Sequence, residues 1–288
     1  MPRAHLSSGD NGGMNTPTHP TITFIGGGNM ASAIVGGLIR QGHPVNALQI
    51  VEPWDEQRAK LGQQFPGVSV LPAAGPALRP SDLVVWAVKP QTFKEAATNS
   101  QPHLSGALHL SVAAGITSES MAGWLQTQRI VRAMPNTPAL VGLGMTGLFA
   151  RTGASDADRA LVETVVKTTG ELVWVDAEVQ LDAVTAISGS GPAYVFYFLE
   201  AMRDAGARMG LPPEVALQLA VGTFVGASTL AQRSEDPPQT LRERVTSKGG
   251  TTYAALTSME AAGIKAKFEE ALFAAQKRAE ELGREFGN

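Results

Sequence analysis

Residues 21–40 read TITFIGGGNMASAIVGGLIR, a short apolar run followed by a glycine-rich turn and a helical pattern. The turn fits G-x-G-x-x-A through Gly26, Gly28 and Ala31, directly after a predicted strand. Gly26 permits a tight turn, Gly28 lets a pyrophosphate approach the backbone, and Ala31 allows the helix to pack closely on the strand. We therefore predict a dinucleotide-binding loop in which Asn29 and Met30, at the helix start, also face the phosphates. A purely structural tight turn is the alternative.

An acidic residue, Glu52, ends the second predicted strand, ALQIVE at residues 47–52. Its carboxylate can accept hydrogen bonds from the adenosine ribose hydroxyls, which favours NAD. A 2′-phosphate would be repelled there unless a cation compensates, and Arg58 is the nearest candidate. A surface arginine on a helix is the alternative for Arg58, so both NADPH and NADH stay open as the cofactor.

Strand and helix patterns alternate from residue 21 to about residue 176. Such alternation predicts a mostly parallel, doubly wound sheet, that is, an α/β fold with an N-terminal Rossmann-type domain at residues 21–176. Helical patterns alone follow, so residues 177–288 are predicted to form an all-helical domain. Residues 1–20 are polar and rich in Gly, Pro, Ser and Asn, which is typical of a disordered leader.

The composition excludes several classes of protein. A net charge of −3 and the absence of a long basic run argue against nucleic-acid binding. The chain has no cysteine, which removes thiol nucleophiles and thiolate metal sites and fits a reducing cytoplasm. No histidine follows His109, so a histidine-based metal centre is not expected in the C-terminal half. No apolar run is judged long and clean enough to span a bilayer.

A second glycine-rich stretch, RVTSKGGTT, occupies residues 244–252 before a predicted helix. Successive backbone N–H groups and a hydroxyl at a helix start suit a small anion. The residues that would form this anion site are Ser247, Gly249, Gly250, Thr251 and Thr252. From the residues alone, a helix cap by Ser247 or Thr251 is the favoured alternative.

Five stretches together resemble the pyrroline-5-carboxylate reductase family, and the resemblance covers nearly the whole chain from residue 21 onward. They read GGGNMASAIVGGL, AVKPQ, RAMPNTPALVGLGMTGL, DAVTAISGSGPAYVF and VTSKGGTT. The resemblance implies hydride transfer from NADPH or NADH to the imine carbon of 1-pyrroline-5-carboxylate, giving L-proline. It also implies that the helical domain pairs two subunits, which commonly assemble further into decamers. The helix at residues 192–202 is apolar nearly all round, so we expect it to be buried within its domain or against a partner subunit.

The resemblance also implies roles for residues of the helical domain. Ser247 and Thr252 match residues that contact the substrate carboxylate. Thr185 matches a threonine near the imine nitrogen, although its hydroxyl could instead bond a carbonyl of its own helix. Glu235 matches an acidic residue near the substrate, with a surface or interhelical salt bridge as the alternative. Residue 188 is serine where a G-x-S-x-G motif would need its first glycine, so a hydrolase elbow is rejected.

Two more motifs, AVKP and MPNTP, follow predicted strands at the edge where α/β sheets bind ligands. The resemblance places part of them near the nicotinamide ribose and carboxamide, namely Ala87, Val88, Lys89, Pro90 and Asn136. A Lys89 side chain that points to solvent is equally compatible with the sequence. A reductase of the six-membered cyclic imine homologue and a dinucleotide-sensing protein without turnover remain as alternatives.

Overall fold

A computed structural model describes residues 19–287, so most of the predicted leader lies outside the described residues. Eight strands form one sheet: β1 (Ile22–Ile25), β2 (Leu48–Val51), β3 (Ser69–Leu71), β4 (Leu83–Trp86), β5 (Leu108–Ser111), β6 (Ile130–Met134), β7 (Gly144–Ala150) and β8 (Gly170–Trp174). Their order across the sheet is β3-β2-β1-β4-β5-β6-β7-β8. Because β1 is flanked by β2 and β4, the order reverses there and opens a crevice at the carboxyl ends of the strands.

Five helices cover the two faces of the sheet: α1 (Asn29–Arg40), α2 (Asp55–Gln64), α3 (Pro90–Ser100), α4 (Ser118–Leu125) and α5 (Asp156–Val166). Successive side chains of a strand point to opposite faces, so Val85 and Trp86 belong to different cores. Val85 packs in the core beneath α1, α2 and α5, and Trp86 packs against α3 and α4. Helices on both faces of a mostly parallel sheet confirm the predicted Rossmann-type architecture.

One pair of strands departs from the parallel arrangement. β7 runs antiparallel to β6, whereas all the other neighbouring strands are parallel. The connection between them contains only the short 3₁₀ turn Thr137–Val141. A parallel return needs a crossover of a dozen or more residues, usually a helix, so this short connection brings the chain back in the opposite direction.

Helices alone follow β8 in the described residues, and they confirm the helical second half: α6 (Gln180–Val184), α7 (Gly191–Arg208), α8 (Pro213–Arg233), α9 (Pro238–Arg244), α10 (Thr251–Ala261) and α11 (Ile264–Phe286). A π-helical turn, Thr185–Gly189, joins α6 to α7. Within this half, α7 packs on α8, and Phe268 of α11 meets Tyr194 and Phe198 of α7 edge-on.

A partly buried ion pair and the end of α11 join the helical half to the sheet. Glu178 accepts hydrogen bonds from the Ser118 N–H at 2.6 Å and from the Arg132 guanidinium at 2.7 Å. Burial opposes ionisation of Glu178, but these hydrogen bonds and the Arg132 charge outweigh it and hold its pKa below the usual value. Phe286, at the end of α11, packs into the core beneath α3 and α4. The beginning and the end of this half are therefore both anchored to the sheet.

The helices between these anchors leave large apolar side chains uncovered in the single chain. Phe196 and Tyr197 of α7 are 58% and 70% exposed, so the apolar helix at 192–202 is not buried within its own chain. Of the two expectations for this helix, burial within its own domain is therefore wrong, and burial against a partner subunit stays a prediction. α8 is long and apolar enough to cross a membrane by length and composition alone, contrary to the expectation that no apolar run is long and clean enough. One such helix is weak evidence for a span.

His109 lies in the sheet core, and its titration should control stability in mild acid. Its Nδ1 accepts a hydrogen bond from Trp86 Nε1 at 3.0 Å. Burial, reinforced by the Arg129 charge, lowers its pKa from 6.5 to about 4. Between these values the unfolded chain binds a proton that the folded chain does not, so stability falls as pH drops from 6.5 toward 4. We expect this histidine to remove about 3 kcal/mol over that range.

Urea unfolding of the wild type and His109→Gln at pH 7 and pH 4 measures this effect. Glutamine can still accept the indole N–H but has no proton to take up, so the variant should lose about 3 kcal/mol less on acidification. His103→Gln, which replaces an exposed histidine, is the matched control and should follow the wild type. Equal losses for the wild type and His109→Gln would contradict the assignment.

Candidate active site

The glycine loop after β1 is built against the end of β4. Gly26 has φ of +95°, a backbone conformation that side chains rarely adopt. A Cβ on this residue would lie 2.6 Å from the Ala87 carbonyl oxygen. The Gly26 N–H donates to Val51 O at 2.8 Å, so the glycine turn is also hydrogen-bonded to the end of β2. The loop and the AVKP segment therefore form one continuous edge above β1, β2 and β4.

The start of α1 fits a pyrophosphate. Gly28, the second glycine of the motif, is exposed, and a Cβ there would meet nothing within 4 Å. The loop therefore leaves open space beside this residue. No side chain caps the N-terminus of α1, where Asn29 and Met30 form the first turn. Uncapped N–H groups with the positive end of the helix dipole bind phosphate groups. The residues present thus fit the group that the sequence predicts.

Glu52 organises this loop. Its Oε2 accepts the Gly27 N–H at 2.9 Å, and its Oε1 accepts the Trp54 N–H at 3.0 Å. The side chain of Gln57 donates to the Gly27 carbonyl oxygen at 2.7 Å. The carboxylate is therefore fixed between the glycine loop and the loop after β2. Gln57 was not predicted from the sequence as a site residue. Its position in the first turn of the helix that follows Glu52 is the feature that could have indicated it.

The AVKP segment runs from β4 into α3. Ala87 and Val88 are half-buried beside the glycine loop, and Pro90 is the first residue of α3. Lys89 is exposed, has an extended backbone and immediately precedes α3, and its side chain makes no hydrogen bond that caps this helix. The predicted cofactor residues from β1 and β4 are thus gathered at one edge, where a nicotinamide dinucleotide would lie along the crevice.

Asn136 connects this edge to the helical half. Its Nδ2 lies 3.2 Å from both the backbone carbonyl oxygen and the Oγ of Ser188, to which it donates. Its Oδ1 accepts the Met145 N–H at 2.9 Å. The amide is therefore occupied by protein partners, and it holds the end of β6 against the π turn. The sequence drew attention to Ser188 only because it breaks a G-x-S-x-G frame, so its hydrogen bonds with Asn136 were missed.

Thr185 opens the π turn and donates its hydroxyl hydrogen to Leu181 O at 2.8 Å. This is the internal hydrogen bond that the sequence left as an alternative. The next turn brings Gly189 beside it: a Cβ on Gly189 would lie 2.5 Å from Met134 Cε and 3.7 Å from Thr185 Cγ2. The π turn consequently packs directly on the end of β6. Single π turns within helices often mark functional sites.

An open apolar cleft of about 560 Å³ lies beside this turn. Asn136 and Ser188 line it on the sheet side, and aromatic residues of α7, α8 and α11 line the other side, namely Tyr194, Phe196, Phe198, Phe224 and Phe268. A smaller cavity of about 150 Å³ lies beside His109 near the start of β5. We take the larger cleft as the candidate substrate region because it adjoins the residues that end β6.

The second glycine stretch forms a turn at the start of α10. Gly249 has φ of +75°, and the Gly250 N–H donates to Ser247 O at 3.0 Å. No side chain caps α10, so the structure does not show the helix cap by Ser247 or Thr251 that was the alternative to an anion site. Thr251 is exposed and Thr252 half-buried. None of residues 247–252 lines the cleft beside Asn136 within the same chain.

Glu235 is exposed between α8 and α9. Its neighbour Asp236 pairs with Arg244 at the end of α9. Among residues 19–287, no group of three or more His, Asp or Glu side chains could hold a metal ion.

A Rossmann-type sheet with an open glycine loop at a helix start, followed by helices that adjoin its crevice, is the architecture of nicotinamide-dinucleotide oxidoreductases. Residues 21–115 match the family model for NADP oxidoreductase, coenzyme F420-dependent, and residues 178–282 match the model for pyrroline-5-carboxylate reductase dimerisation. A pyrroline-5-carboxylate reductase from Pseudomonas aeruginosa is 44% identical over 93% of this chain and 98% of its own. The chain belongs to the pyrroline-5-carboxylate reductase family.

Solved structures agree with this assignment. A pyrroline-5-carboxylate reductase from Coxiella burnetii has a TM-score of 0.86 and 38% identity, covering 92% of this chain and 99% of its own. The Plasmodium falciparum pyrroline carboxylate reductase, solved with NADP bound, has a TM-score of 0.81 and 28% identity over 92% of this chain and 98% of its own.

Proposed function

We propose that the protein reduces 1-pyrroline-5-carboxylate to L-proline, the last step of proline biosynthesis, by hydride transfer from NADPH or NADH to the imine carbon. The observation that carries this proposal is the meeting of the open glycine loop, the end of β6 and the π turn at one edge of the sheet, in a chain of this family. We place the cofactor domain at residues 21–176 and the helical substrate domain at residues 177–288.

For this reduction the main contribution of the protein is to position the imine against the cofactor. A protonated C=N bond is already electrophilic, so no covalent nucleophile is needed, and orientation of the ring supplies most of the rate. When bound, the nicotinamide supplies the hydride. The hydroxyl hydrogen of Thr185 is engaged by Leu181 O, which leaves the Thr185 oxygen as an acceptor. That oxygen suits the N–H of a protonated imine, and we assign Thr185 the role of holding this nitrogen.

The turn before α10 is our candidate for the substrate carboxylate. The hydroxyl groups of Ser247 and Thr252 and the backbone N–H groups of Gly249, Gly250, Thr251 and Thr252 would provide donors at a helix start. Such donors with the helix dipole suit a single negative charge. Glu235 stays a weaker candidate because it is exposed between α8 and α9.

The turn before α10 and the cleft beside Asn136 can contact the same substrate only if the turn comes from a second subunit. Residues 247–252 are absent from the cleft lining of their own chain, while α7 and α8 expose apolar side chains beside it. We infer a dimer paired through these helices, with further assembly into a decamer as the family resemblance implies. On this proposal the apolar side of α8 faces a subunit rather than a bilayer, and the enzyme acts in the cytoplasm without nucleic acid.

A steady-state assay tests the activity directly. Addition of 1-pyrroline-5-carboxylate to the protein with NADPH or NADH should consume the reduced cofactor, measured as loss of absorbance at its characteristic wavelength, and produce L-proline. The six-membered cyclic imine homologue serves as a comparison substrate, because one methylene changes kcat/KM only about 10- to 200-fold. Folded protein that turns over neither cofactor with either imine would overturn the proposal.

A further inference from the structure

The loop after β2 determines how the protein meets the adenosine ribose of its cofactor. In folds of this type the residue at the end of the second strand faces the ribose 2′ position. Glu52 holds that position here, and residues 52–58, which read EPWDEQR, carry three acidic side chains against one basic. The following argument rests on the proposed function, since it concerns which dinucleotide the same site selects.

Glu52 favours a hydroxyl over a phosphate. The residue is only 9% exposed, and its two carboxylate oxygens are held by the N–H groups of Gly27 and Trp54. The carboxylate therefore cannot swing away from an incoming anion without breaking both hydrogen bonds. Each of its oxygens keeps a second lone pair for a ribose hydroxyl. A 2′-phosphate at the same place would meet a fixed negative charge.

Arg58, the cation of this loop, is already occupied. Its Nη1 donates to Glu52 O at 3.0 Å and to Pro53 O at 2.7 Å, and its Nη2 pairs with the Asp55 carboxylate. The Arg58 side chain is 23% exposed, whereas the Asp55 side chain is 90% exposed. The guanidinium is thus turned onto its own loop, with Asp55 on its solvent side, where a phosphate would have to approach.

We propose that Asp55 sets the cofactor preference of this enzyme by neutralising Arg58, and that the protein selects NADH over NADPH. Arg58 binds a 2′-phosphate only after it leaves the Asp55 carboxylate. Asp55 itself adds a second negative charge beside Glu52. Removal of the Asp55 charge frees the guanidinium for the bidentate, charge-assisted contact that arginine makes with phosphate.

Calorimetric titration with NAD⁺ and NADP⁺, in the absence of substrate, tests this proposal. We expect the wild type to bind NAD⁺ at least about tenfold more tightly, and Asp55→Asn to narrow that ratio by about tenfold through tighter NADP⁺ binding. Asp55→Asn combined with Arg58→Gln should lose the gain for NADP⁺. The ratio of kcat/KM for NADH and NADPH should move in parallel.

Glu56→Gln is the matched control, because it removes a charge from the same first turn of α2 without touching Arg58. It should shift the binding ratio much less than Asp55→Asn does. Equal or tighter binding of NADP⁺ by the wild type, or an unchanged ratio in Asp55→Asn, overturns the inference alone. Failure of the folded wild type to bind either dinucleotide overturns the proposed function and the inference with it.

Discussion

Gly28→Ala should leave the protein folded and strongly weaken its binding of the dinucleotide cofactor. A Cβ at residue 28 meets no protein atom within 4 Å, and its φ of −74° is accessible to any residue, so we expect the free energy of unfolding to change by about 1 kcal/mol or less. The added methyl group would instead stand where a pyrophosphate approaches the backbone. Dissociation constants for the dinucleotides should rise by on the order of 100-fold, measured by calorimetric titration.

Gly26→Ala is the informative partner of that variant. Its methyl group would lie 2.6 Å from a backbone oxygen of Ala87, which cannot move aside, and the φ of +95° would be strained. We expect a loss of about 3 kcal/mol or more in urea unfolding. The two glycines of one motif therefore separate into one required by the fold and one required by the ligand. Normal dinucleotide binding by Gly28→Ala would show that the phosphates do not approach this backbone.

Thr252→Ala and Ser247→Ala should weaken the substrate and spare the cofactor. A hydrogen bond to a charged group contributes about 1.5–3 kcal/mol, so each substitution should raise KM for 1-pyrroline-5-carboxylate by roughly 10- to 100-fold. Both residues lie in the turn before α10, remote from the glycine loop in sequence and absent from the cleft of their own chain. The dissociation constant of the dinucleotide should accordingly stay within about twofold of the wild type.

Thr257→Ala provides the control for that pair, because it removes an exposed threonine hydroxyl one and a half turns further along the same helix. It should leave KM near the wild-type value. A fall in dinucleotide affinity with an unaltered KM in Ser247→Ala and Thr252→Ala would reassign the turn to the cofactor.

The apolar runs of the sheet were readable from the sequence because strands covered on both faces need no polar positions. α3 and α4 were not singled out, since PQTFKEAATNS and SESMAGWL bury only a few residues each. The antiparallel return of β7 was missed as well. Strand polarity depends on the length and path of the connection, which a pattern of apolar residues does not report.

For the candidate site residues, the strand ends that carry them were predictable from the sequence, and the directions of their side chains were not. The sequence places Glu52 at the end of β2, but its two N–H partners become visible only when the loops fold together. Asn136 shows the same limit, because its partners Ser188 and Met145 are distant in sequence. Side-chain direction in these cases follows from tertiary contacts, so motif spacing predicts which strand ends carry the candidate residues without describing their hydrogen bonds.

The exposed apolar helices have a further consequence for how the protein holds together. Among the described residues after 176, the buried hydrophobic side chains are Leu181 and the alanines at 186, 216, 220 and 279. So small an interior supplies little of the free energy that offsets the ordering of more than a hundred residues. In the dimer proposed above, folding of the helical half and association of subunits would therefore be a single thermodynamic event, and its stability would depend on protein concentration.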